Sequence, residues 1–154
     1  MFDEILGLPA HPLIIHATVV LTPLLAVLAT VYALLPRTRA VLTWAVVPLA
    51  VVVPVAVLAA KESGEELKEG RFASVDDVLA RRLTEHEALA TPLLLGAVAL
   101  GLVALVRVYV SSRADGLPRP VGTVLSVLTV VLAAVVGYYV LRAGHTGAIA
   151  VWSP

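Results

Sequence analysis

Four histidines carry most of the chemistry available to this 154-residue chain: His11, His16, His86 and His145. The first two enclose the sequence His-Pro-Leu-Ile-Ile-His, the third follows Glu85, and the fourth lies in Gly-His-Thr-Gly. A neutral imidazole offers one nitrogen lone pair, so several of them beside a carboxylate form a nitrogen and oxygen donor set for a metal. Glu62, Glu65 and Glu66 supply nearby carboxylates. With no Cys, the chain holds no thiolate zinc site, iron–sulfur cluster or thioether-linked haem, and its single Met excludes a methionine copper relay.

The elements that must carry these side chains follow from composition. Hydrophobic residues make up 60% of the chain and charged residues 14%, with a mean hydropathy of +0.98, which is far too apolar for a water-soluble domain or a disordered chain. Four apolar stretches, about 12–35, 41–60, 88–110 and 120–141, each have about the ~20 residues needed to cross a bilayer. The expected fold is all-α, a single integral membrane four-helix up-and-down bundle occupying residues 1–154. The first stretch is expected to remain in the mature protein, because Asp3 and Glu4 replace the basic region of a cleavable leader. Pro23, Pro48, Pro54 and Pro92 fall inside the stretches, where the pattern predicts kinks and not ends.

Residues 61–87 form the extramembrane connection. Within it Ser74 and Asp77 predict a capping box, and Val75, Val78, Leu79, Leu83 and His86 recur at helical spacing. A helix starting near Val75 that ran unbroken into the third span would make a long third helix, its first turns outside the membrane. No internal repeat is evident in the sequence.

An even number of spans places all four histidines on one face of the membrane. Pro12 at the first helical position makes His11 the expected N-cap, with His16 about one turn inside. In one continuous helix these two would diverge by roughly 140°, so they address a common centre only if His11 lies on a non-helical lead-in. His86 shares a stripe with Leu79, Leu83 and Ala90 and is expected to point inward. A loose turn at Gly144–Gly147 would fold His145 back over the mouth of the bundle. His16 and His86 are therefore the expected inward ligands, their nitrogens about 4 Å apart if both bond one metal at ~2.0–2.1 Å. For haem b, Arg81, Arg82 and Arg142 are the residues expected to meet the propionates, and Gly96, Gly101, Gly122 and Gly137 would make room for the ring.

The opening HPLIIH, the SGE at 63–65, the EH at 85–86 and the terminal GHTGAIAVW together resemble the bacterial four-span family catalogued as domain of unknown function 2231. The resemblance covers nearly the whole chain. Its most specific element is the His-Pro-three apolar-His opening, although an aromatic residue and a proline often follow the second histidine in that family and this chain has Ala17 and Thr18. It implies an integral membrane domain in the bacterial cytoplasmic membrane, with His11, His16, Glu65, His86 and His145 as the family-like positions. Fusions to Rieske-type ferredoxin domains within that family imply a redox partner of the same kind.

No charged residue lies near the middle of a span, which excludes an ion-coupled transporter or voltage sensor. No hydrolase or phosphotransferase motif is present, so no catalytic residue is assigned, and balanced charge, with 11 Lys plus Arg and 11 Asp plus Glu, excludes nucleic acid as a partner. The expectation is a membrane protein with a metal centre, haem b or a zinc, copper or iron ion, serving electron transfer or metal handling, with homo-oligomerisation open. The competing expectation is a structural or partner-binding subunit without cofactor, whose His and Glu residues form a polar cap. Arg37, Arg39, Arg107, Arg113 and Arg119 crowd the short-loop face, so the positive-inside tendency places both termini outside the cytoplasm.

Overall fold

The computed structural model describes residues 4–5, 8–72, 75–113 and 118–152. A two-residue antiparallel pair, β1 (Glu4–Ile5) and β2 (Leu8–Pro9), precedes five helices: α1 (Ala10–Leu34), α2 (Arg39–Arg71), α3 (Asp77–Glu87), α4 (Ala90–Ser111) and α5 (Arg119–Trp152). A 3-10 turn at Pro36–Thr38 links α1 to α2. There the Thr38 hydroxyl donates to the Leu35 carbonyl at 2.8 Å, and Arg39 donates to the Tyr32 and Ala33 carbonyls at the end of α1.

Four helical runs are long and apolar enough to cross a membrane, and the chain is a multi-pass, all-α membrane bundle. Helix α1 packs on α2 and α5, and α4 packs on the same two, so the four spans form a square with little contact across the α1–α4 diagonal. Leu25, Val46, Val53, Leu100 and Val136 fill the centre. The outward faces are equally apolar: Trp44 and Leu141 are each 75% exposed, and Val20, Val55 and Val124 point the same way, as lipid-facing residues must. Because lipid tails are as apolar as leucine, close packing and interhelical hydrogen bonds hold such helices together. Thr18 makes one such bond, donating to the Ala56 carbonyl of α2 at 3.2 Å.

Pro23, Pro48 and Pro54 lie inside continuous helix, so none of them ends its element. Pro54 has no N–H for the Ala50 carbonyl four residues earlier. At that point Gly101 of α4 comes so close that a Cβ there would sit 2.5 Å from the Ala50 oxygen. Glycine is the side chain this crossing admits. Pro92 acts differently. The long third helix runs from Asp77 to Ser111 but as two segments meeting at Ala88–Leu89; Pro92 cannot donate to Ala88, and the backbone tightens there through Leu89 N–H to the His86 carbonyl at 3.1 Å.

Three expectations about the extramembrane side are corrected. Helix α3 begins at Asp77, and its cap is Asp76, whose carboxylate accepts from the Val78 and Leu79 N–H groups; Ser74 lies outside the described residues. Residues 61–71 are helical, since α2 has 33 residues and, at ~1.5 Å per residue, a length of about 50 Å, well beyond a bilayer core of ~30 Å. The 34-residue α5 likewise runs straight through 144–147, where a loose turn was expected. The ends of α2 and α5 together with α3 form a helical cap on one face.

Candidate functional site

The helical cap brings together two of the four histidines. His11 lies in the first turn of α1, half-buried, with Nδ1 3.1 Å from Ser63 Oγ of α2. The Ser63 hydroxyl in turn donates to the Ala60 carbonyl at 3.1 Å. With that proton engaged, the Ser63 oxygen is free to accept from His11 Nδ1, and in that tautomer Nε2 keeps its lone pair. His86, on the inward stripe of α3 with half-buried Leu79 and Leu83, repeats the arrangement against α5. Its Nδ1 is 3.1 Å from Thr146 Oγ1, and the Thr146 hydroxyl shares its proton between the Arg142 and Ala143 carbonyls. The two imidazoles lie close enough to interact electrostatically.

The residue after each hydroxyl is glycine. A Cβ on Gly64 would lie 2.9 Å from the His11 ring and one on Gly147 3.2 Å from the His86 ring, so each ring rests on bare backbone. The pattern Ala-x-x-Ser/Thr-Gly thus occurs at 60–64 and again at 143–147, receiving a histidine from the first turn of α1 in one case and from the last turn of α3 in the other. These four residues, Ser63, Gly64, Thr146 and Gly147, are what reading the sequence for metal ligands missed. The recurrence of the pattern near the ends of the second and fourth spans was the available signal.

The remaining candidates do not join the pair. His16 was expected to meet His86, but it is exposed and its Nδ1 bonds the Pro12 carbonyl of its own helix. The physical reason is azimuth: His11 is already helical, and five residues of helix turn the second ring roughly 140° away. His145 is exposed on α5, because the helix that continues through Gly144 carries it outward instead of folding it over the mouth. Glu65 is held by Lys61 at 2.6 Å within α2. Among the described residues, no group of three or more His, Asp or Glu side chains is placed to hold a metal ion. Arg81 turns back on the Asp77 carbonyl, Arg142 is exposed, and Arg82 has a partner within the molecule. Of the glycines expected to make room for a haem, Gly96 abuts Val136 and Gly101 abuts Ala50; both serve helix packing.

Two desolvated nitrogen lone pairs on adjacent helix ends can do one of two things. They can ligate a cation, with the Nδ1–H contacts acting as the orienting outer partners usual for metal-bound histidine, or they can be by-products of hydrogen bonds that fasten helix ends. No protein-family model, curated protein or solved structure matches this chain.

Proposed function

We propose that the protein is a membrane redox or metal-handling subunit whose His11 and His86 bind a metal centre through Nε2. The observation that supports this reading is the matched pair of Nδ1–hydroxyl contacts, which in the Nδ1–H tautomer leave both Nε2 lone pairs available. Two imidazoles would suffice to hold a haem b iron and would supply half of a four-coordinate ion's donors; the larger set of His16, His145 and Glu65 does not fit. Bound there, a haem iron or a copper or iron ion would supply one-electron chemistry, and zinc a Lewis acid. The chain's own residues orient the rings and shield them from water. In this reading the protein resides in a bacterial cytoplasmic membrane with the histidine face outside, where a Rieske-type partner could exchange electrons with it.

The second reading is a structural subunit, and the same bonds favour it, because they tie α1 to α2 and α3 to α5. Purification without chelators, followed by a visible spectrum and elemental analysis, separates the two. The expected result is a Soret band or a stoichiometric metal that His11→Ala and His86→Ala abolish and His16→Ala and His145→Ala retain. A colourless, metal-free wild type leaves the structural reading.

A further inference from the structure

At the opposite end of the bundle a cavity of about 620 Å³ opens between α1, α4 and α5. Arg107 forms part of its wall, one turn before the end of α4. Arg107 is only 6% exposed; its Nη2 donates to Ser126 Oγ at 3.4 Å, and its Nε has no partner among the described residues. Arg39 and Arg119 line the same cavity, and Arg39 is near enough to Arg107 for the two like charges to repel. Among the described residues none of the three forms an ion pair. Asp115, the one acid in the two short connections, lies outside the described residues.

An arginine buried at membrane depth beside a second arginine is costly without a counter-charge. A phosphate oxygen would accept from the orphan Nε and relieve the repulsion, and guanidinium groups match phosphate geometry. Arg119 and Gly122, in the first turn of α5, line the cavity too, and that turn adds the positive end of a helix dipole. Below it the wall turns apolar, with exposed Val127, Val130 and Val131 continuing down α5 into the bilayer. A free anion has no use for that strip, whereas an acyl chain does.

We infer that this end of the bundle binds an anionic phospholipid, its phosphate held by Arg107, Arg39 and Arg119 and a chain lying along α5. The test uses the full chain, delipidated in a mild non-ionic detergent, with thermal unfolding and native mass spectrometry as readouts. Phosphatidylglycerol is expected to raise the unfolding temperature and remain bound, phosphatidylcholine and millimolar inorganic phosphate to do neither. Arg119 is exposed, so Arg119→Gln folds, and it is expected to weaken phosphatidylglycerol retention about tenfold; Arg107→Gln removes it, and Arg113→Gln leaves it unchanged. Equal retention of phosphatidylcholine, or wild-type retention in Arg119→Gln, overturns the proposal. Stabilisation by inorganic phosphate equal to that by phosphatidylglycerol overturns the lipid assignment in favour of a free anion. Should Arg107→Gln not fold, Arg119→Gln decides.

Discussion

The two ends of the bundle handle buried polarity in opposite ways. At the helical cap the Nδ1 of each of the two histidines meets a hydroxyl from a neighbouring helix: His11 meets Ser63 of α2, and His86 meets Thr146 of α5. At the short-loop end Arg107 is more deeply buried and keeps an unpartnered Nε beside another cation. One end is complete within the chain and the other is completed from outside. Self-contained polar contacts fix geometry, whereas an uncompensated charge stores affinity for whatever neutralises it.

The largest expected effect separates the ends by sign. Arg107→Met should stabilise the lipid-free protein by ~1–3 kcal/mol, since an apolar side chain of similar length removes an uncompensated buried charge, and should lose that advantage in phosphatidylglycerol; thermal unfolding in both conditions checks this. A lower stability of Arg107→Met without lipid would erase the contrast. At the cap, Gly64→Leu must displace the His11 ring from 2.9 Å, and a loss of ~1–3 kcal/mol is expected from overpacking. Gly147→Ala, whose Cβ would lie 3.2 Å from the His86 ring against 2.9 Å for Gly64 and His11, should cost less than Gly64→Ala in the same denaturation series.

Ser63→Ala removes the acceptor of a 2% exposed hydroxyl pair, for an expected loss of ~1–2 kcal/mol. Nuclear magnetic resonance of the ring nitrogens is expected to show His11 mainly as the Nδ1–H tautomer in the wild type and as a mixture in Ser63→Ala; the same tautomer in both would mean that Ser63 does not set it. Smaller still is Lys68→Met, which breaks an ion pair with Glu87 between side chains 37% and 40% exposed; a change of ~0–1 kcal/mol that vanishes in high salt is expected. His16→Ala, on the outer face, should fall within ~0.5 kcal/mol of wild type.

Much of the architecture was readable because apolar runs of bilayer length have few alternatives, and the stripe through Leu79, Leu83 and His86 gave the inward face of α3 correctly. The candidate site was only partly readable. A one- or two-residue shift in where α1 becomes helical turns His11 and His16 from convergent to divergent, and Pro12 suggested the later start while the helix begins at Ala10. Gly144 and Gly147 looked like a turn, since each costs about 1 kcal/mol in a helix. Glycine at 147 instead admits a ring from α3, and packing outweighs propensity. Arg107 read only as one of the arginines crowding the short-loop face, and nothing in its neighbours along the chain announces that Ser126 and the start of α5 would cover it.

Gly101 and Pro54 fix something that neither end could fix alone. With Ala50's oxygen freed by the proline and seated against a residue lacking a side chain, sliding α4 along α2 by even one position would drive a methyl or larger group into that oxygen. The bundle is therefore pinned near mid-depth, like scissors at the rivet, and the vertical alignment of α2 with α4, on which the cap histidines and Arg107 alike depend, is set at a point in contact with none of them.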